Sequence, residues 1–152
     1  MNNVAVAQHC LPSASSEAIA KVSKLVEITA KMPQTEIETF HLLHAGMYAR
    51  TITIPKGVLL TGALIKIATI LIISGDVVVY IDDKPRRLSG YQVIAGSARR
   101  KQAFYAIEDT SMTMLFKTDA KTIKEAEEQF TDEAHLLFSR HSKNNITITG
   151  ES

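Results

Sequence analysis

Ala63-Leu-Ile-Lys-Ile-Ala-Thr-Ile-Leu-Ile-Ile-Ser-Gly-Asp-Val-Val-Val-Tyr80 decides the fold. Two apolar runs flank the turn signal Ser74-Gly75-Asp76, and their β-branched residues read as strands. The run Ala63 to Ile73 hardly alternates, so it predicts a strand apolar on both faces, and such a strand must be covered on both. One covering is a barrel interior. The other is either an N-terminal helix or a second subunit. Further strands are expected at Tyr48–Ile54, Val58–Leu60, Asp76–Ile81, Tyr91–Ala95, Gln102–Ile107 and Ser111–Phe116. Pro55-Lys-Gly, Asp82-Asp-Lys-Pro, Ser89-Gly and Glu108-Asp punctuate them. Short strands at this spacing indicate a sandwich or barrel. Arg50-Thr-Ile-Thr-Ile and Ser111-Met-Thr-Met-Leu-Phe alternate, which gives each one wet face.

The flanks read as helical. Ser13 to Met32 carries the stripe Ile19, Val22, Val26, Thr29, with Ser13, Ser15 or Ser16 as N-cap and Pro33 as stop. Ala120 to Arg140 carries Ile123, Ala126, Phe130, Ala134 and Leu137, with Asp119 as N-cap and Thr131 as a point of division. Ile146-Thr-Ile-Thr is either an edge strand or disordered. The expected organisation is an arm and helix over 1–36, a β-barrel over 37–118, and a helix and tail over 119–152.

The 152 residues fit one domain, and 45% hydrophobic with 22% charged residues excludes a disordered chain. A lone Cys10 excludes an internal disulfide framework and a cysteine zinc cluster. The net charge of +1 excludes polyanion binding by bulk charge. With no Trp, four Tyr and five Phe, base-stacking platforms are not expected. No leader pattern appears at the N-terminus. The apolar run Val58 to Ile73 is interrupted by Thr61, Lys66 and Thr69 and is shorter than the roughly 20 residues that span a bilayer. A cytoplasmic protein without membrane contact is expected.

Gly57, the stretch Ile72-Ile-Ser-Gly75-Asp-Val-Val-Val, Gly90 and Asp109-Thr together resemble a cupin. Arg50-Thr-Ile-Thr-Ile-Pro-Lys-Gly57 and Tyr105-Ala-Ile-Glu-Asp-Thr110 are similar to segments of small cupin-like proteins of bacteriophages. The resemblance covers about 47–120. It implies a mainly β fold, a cupin-like antiparallel barrel or jelly roll, with both helical segments as additions. It also implies a setting in host cytoplasm or in association with a virion. Cupins hold a divalent metal with two His and a Glu in a first motif and a His in a second. Here 57–75 contain no His, Glu or Cys, and the corresponding positions fall near Ile65, Ile67 and Ala68, then Gly96, Ala98 and Lys101. A metal-free protein without cofactor is expected, and metal-dependent activities do not carry over.

His41-x-x-His44 would put two rings on one face if helical, but has no third ligand nearby; otherwise it is a connector. The run from Lys84 to Lys101 holds six cations (Lys84, Arg86, Arg87, Arg99, Arg100, Lys101) and no acid. Arg99, Arg100 and Lys101, with Tyr105 and Gln92, form a candidate pocket for a small nucleotide-like anion, since guanidinium forks match phosphate or carboxylate. The plain alternative is a solvated turn, or a surface paired with Glu125-Ala-Glu-Glu. No nucleophile elbow, phosphate loop or catalytic carboxylate pair is present. The reading is a non-enzymatic homo-oligomer, a dimer above all, acting as a structural or interaction module. Behind it stand a binder of a small anionic ligand or host protein that interferes with a host defence signal, and last a metal-dependent enzyme. Nucleic acid is not an expected partner.

Overall fold

The longest hairpin organises the chain. In a computed structural model that describes residues 10–82 and 84–151, β5 (Thr69–Ile81) and β6 (Lys84–Gly96) pair along their whole length. The other strands are β1 (Cys10–Leu11), β2 (Thr39–His44), β3 (Met47–Ile54), β4 (Leu59–Thr61), β7 (Ala103–Ala106), β8 (Thr110–Lys117) and β9 (Asn144–Ile148). The first half of β5 pairs with β8, from Ile70↔Leu115 to Ser74↔Ser111. Its second half pairs with β7, from Val77↔Ala106 to Tyr80↔Ala103. The change of partner falls at Gly75. Its φ is +144°, and a Cβ there would lie 2.6 Å from Thr110 Oγ1 and 2.7 Å from the Asp109 carbonyl. Only glycine fits so close an approach.

The hairpin therefore belongs to two layers. One runs β1-β6-β5-β8-β3-β2-β9, and the other adds β7 and β4 beside the far half of β5. The protein is mainly β, with a jelly-roll arrangement whose sheet does not close. Two pairings, β1 with β6 and β2 with β9, are parallel, so the sheet is mixed rather than wholly antiparallel. Tyr48, Ile54, Ile73, Val77, Val79 and Ile94 fill the space between the layers and are at most 1% exposed. Each such side chain contributes about 1.5–3 kcal/mol by leaving water.

Several expectations change. Ala63 to Ile73 is not one strand: 62–68 cross the mouth of the roll as a loop, tied by an Ile65 bridge to Arg100 with N···O distances of 2.8 and 3.1 Å. The remainder alternates, with Thr69, Leu71 and Ile73 buried and Ile70 exposed. The helix α1 (Ser16–Thr29) is capped by Ser15, whose Oγ accepts from Ala18 N at 3.1 Å. It buries no residue. It stands beside the smaller layer across a groove lined by Leu25, Ile28, Leu59 and Tyr80, away from Ile70 and Ile72. At the other end, α2 (Ile123–Phe130) is capped by Thr122, not Asp119. It stops at Thr131, and the chain continues as short 3-10 turns at Ala134–Leu136 and Phe138–Arg140. The tail is an edge strand, β9. His41 and His44 lie on a strand, where a spacing of three sends side chains to opposite faces. No helix among the described residues is long and apolar enough to cross a membrane.

Candidate functional site

An interior cavity of about 140 Å³ opens at the mouth of the roll. Its walls include Leu71, Phe104, Met112, Met114 and Phe130, and Leu136 stands at the rim, 48% exposed. Four polar side chains line it among the described residues: Arg50, Thr61, Arg100 and Gln102.

Arg50 comes from the inward parity of β3, shared with Ile52 and Ile54, so the face of that strand expected to be wet is the outer one, carrying Thr51 and Thr53. Its Nη1 donates to Glu127 Oε2 at 3.0 Å and to Ser139 Oγ at 3.1 Å, and its guanidinium lies 5.6 Å from the Phe130 ring centroid. Glu127 also accepts from Arg140 Nε at 2.8 Å and from Ser139 Oγ. Burial pushes the Glu127 carboxyl up, but the bonds from Ser139 and Arg140 and the Arg50 charge outweigh it and hold it below the usual range. Beside this cluster, His41 Nε2 donates to Asn144 Oδ1 at 2.6 Å, which leaves Nδ1 to accept from Tyr48 Oη at 2.7 Å. That tautomer is neutral, and burial holds His41 below its ordinary pKa.

Arg100 is 4% exposed. Its Nη1 donates to the carbonyls of Ser97 (2.6 Å) and Ile67 (3.4 Å), and its Nη2 to Thr69 Oγ1 (2.6 Å). The guanidinium lies flat on Gly96, where a Cβ would be 2.6 Å from Cζ. Burial brings its pKa down to about 10. Gln102, 5% exposed, makes no side-chain hydrogen bond among the described residues.

The five residues of the basic pocket read from sequence do not converge. Arg100 alone lines the cavity. Lys101 is buried against Glu133, with Nζ at 2.8 and 2.9 Å from its carboxylate oxygens. Arg99 is exposed and donates to Ser16 Oγ at 2.9 Å. Gln92 donates to the Ser89 carbonyl at 3.0 Å, and Tyr105 lies on the outer surface, 41% exposed. Elsewhere in the basic run Arg87 forks onto Asp76 at 2.9 and 2.5 Å. The acid of Glu125-Ala-Glu-Glu that is buried, Glu127, binds Arg50 and Arg140 rather than this run. Arg50 and Gln102 were not among the sequence candidates. The spacing Arg100, Gln102, Phe104 carries the signal for the second, since alternate residues share a face in extended chain.

A divalent metal does not fit this cavity. Its lining offers no His, Cys or carboxylate, and two arginines are part of it. The positions near Ile65, Ile67 and Ala68 lie on or beside the crossing loop. Among the described residues no three His, Cys, Asp or Glu come together.

No protein-family model matches the chain, and no curated protein does. Among solved structures it is similar to cupin-domain proteins. One is the Cupin_2 domain of an XRE family transcriptional regulator from Enterobacter cloacae, at 14% identity over 53% of this chain and 96% of that one, TM-score 0.44. A cupin superfamily protein from Desulfitobacterium hafniense gives 15%, 59%, 84% and 0.47. KdgF from a Halomonas species gives 18%, 57%, 83% and 0.46. These are likenesses of chain path, and nothing about ligand or activity follows from them.

Proposed function

We propose that this chain is a non-enzymatic, cupin-like module that works as a homodimer, joined through the outer face of its larger sheet. The observation that carries this reading is the composition of that face. Register places Leu42, Ala49, Leu115, Ile70 and Ala95 in one row across five strands. The next row is Phe40, Thr51, Thr113, Ile72 and Val93. Neither row holds a charge. Phe40, Leu42, Ile70 and Val93 are 41–52% exposed, and Tyr91 beyond them is 70% exposed. With five strands about 4.8 Å apart and two rows about 7 Å apart, the patch measures roughly 340 Å². A patch of that size is of the order of the largest one on a monomer, and such patches are often interaction sites. Two copies meeting face to face would bury about 700 Å² before the rims are counted, so the rims must add to it for a weak, exchangeable dimer. An uncharged face is also self-complementary, as two-fold association requires. A setting in host cytoplasm, as for the small bacteriophage proteins that the sequence resembles, is part of the same proposal.

Sedimentation at micromolar concentration tests this. The expected mass is twice 16.7 kDa. Ile70→Lys should give a folded monomer with an unchanged circular dichroism spectrum. A wild-type protein that sediments as a monomer at 100 μM, roughly the weak end for such an area, would sink the reading.

A further inference from the structure

The interior cavity holds a charge that the fold does not neutralise. Four charged side chains are buried: Arg50, Arg100, Lys101 and Glu127. Arg50 has Glu127, and Lys101 has Glu133. Arg100 has neutral partners only: two carbonyls, one hydroxyl and the Met114 sulfur at 3.9 Å. No carboxylate among the described residues pairs with it, and its Nε has no acceptor there. A buried cation without a counter-charge is costly, so a fold that keeps one leaves a place where an anion binds favourably.

Gln102 is the second, independent observation. Its amide lines the same cavity, nine-tenths buried, and bonds to nothing described. That amide keeps an accessible surface at the cavity and bonds to no described group, so it offers both a donor and an acceptor to whatever enters. Apart from Arg50 and Thr61 the rest of the wall is apolar: Leu60, Leu71, Phe104, Met112 and Phe130 would enclose hydrocarbon. The volume, about 140 Å³, is that of a cavity able to hold benzene.

We propose that the cavity binds a small organic monocarboxylate with a short apolar body, held by the Arg100 guanidinium and the Gln102 amide. A carboxylate presents two oxygens in one plane, one for the unpaired Nε–H of Arg100 and one for an amide N–H of Gln102. Phosphate carries more oxygens than these donors serve, and it gains nothing from aromatic and aliphatic walls. A nucleotide exceeds the volume. The crossing loop and Leu136 frame the opening, so the ligand enters between 62–65 and the turn at Ala134–Leu136. This site is independent of the outer face and of the dimer.

The test is calorimetry and thermal melting of the full chain at neutral pH, with hexanoate and benzoate as probes. Hexanol, hexylamine and inorganic phosphate are the controls. At least one carboxylate should bind saturably and raise the melting temperature with dose. The controls should bind at least tenfold more weakly. Gln102→Leu should weaken binding at least tenfold while melting unchanged without ligand, because the amide bonds to nothing in the fold. Arg100→Gln should abolish binding; where it fails to fold, the Gln102 variant decides. Three results would overturn the site: no saturable binding of either carboxylate, hexanol or phosphate binding as well as hexanoate, or wild-type affinity in Gln102→Leu. Any of these would leave Arg100 as a brace for the crossing loop through its bond to the Ile67 carbonyl.

Discussion

Glu127 shows how much a single side chain carries here. It is 2% exposed and ties Arg50 on β3 to Ser139 and Arg140 in the last turn before the tail. Removing one partner of a buried pair strands the other, at about 3–5 kcal/mol. Glu127→Ala is therefore expected to lower the urea midpoint by that equivalent, and Glu127→Gln by less, since the amide still accepts from Ser139. A change below about 1 kcal/mol would mean that water replaces the carboxylate. None of this pairing is visible in the sequence. Glu127 sits in an acidic run that reads as a solvated face, and Arg50, though it shares the parity of Ile52 and Ile54, is a cation for which the sequence shows no partner. The burial of both depends on the C-terminal segment folding back over the mouth of the roll, a contact between residues 77 positions apart. Arg100 could be picked out because it stands in a basic cluster. Gln102 carries no compositional signal and is legible only through the alternate spacing Arg100, Gln102, Phe104.

The two helices differ in what they are anchored to. The cap of α1, Ser15, is one of the three serines read as candidates, that of α2 is Thr122 rather than Asp119, and both helices were legible as amphipathic stripes. Their energetic weight was not. Helix α2 buries Ala126, Glu127 and Phe130, whereas α1 buries nothing and leaves Ile28 54% exposed. Phe130→Ala is expected to cost about 3–5 kcal/mol. Leu25→Ala, on the half-buried side of α1, should cost under about 1 kcal/mol, as for surface positions. Chemical denaturation of the two variants measures the contrast, and equal losses would show that α1 is packed more tightly than its exposure indicates. The strands that the sequence does not reveal are β1 and β2. Thr39-Phe-His-Leu-Leu-His has apolar residues at both parities, because Leu43 faces the core while Phe40 and Leu42 face the uncovered side. No period is left to read. Its parallel partner β9 begins 105 positions further on, with Thr39 opposite Asn144. In the crossing loop the error runs the other way: Ala63, Ile65 and Ile67 pack on the core from a loop and so imitate a strand.

For the molecule as a whole, the buried titrating groups give stability a defined response to acid. His41 is held below its ordinary value of 6.5, first by burial and then by the Arg50 charge, against the pull of its bond to Asn144. Its folded pKa is depressed, so the unfolded chain takes up a proton at a higher pH than the folded one. The stabilisation from neutral His41 is complete above pH 6.5 and falls as the pH drops from there toward the folded value. Glu127 and Glu133 are also depressed, from 4.5. For Glu133, burial opposes the shift, and the bonds from Lys101 and the Leu64 N–H produce it. Their contribution is complete above pH 4.5 and is lost below it. Two stages should appear: a shallow decline in melting temperature starting near pH 6.5, then a steeper one below pH 4.5. In His41→Gln the first stage should vanish while the second remains, because the amide can bond Tyr48 and Asn144 without titrating. The outer face carries no titratable group in its two apolar rows, so dimer mass should hold constant through the first stage. Melting curves and sedimentation run in parallel from pH 8 to 4 distinguish the two effects. A melting temperature that is flat between pH 7 and 5 in the wild type would contradict a neutral, buried His41, and dissociation over the same interval would contradict an interface made of that face.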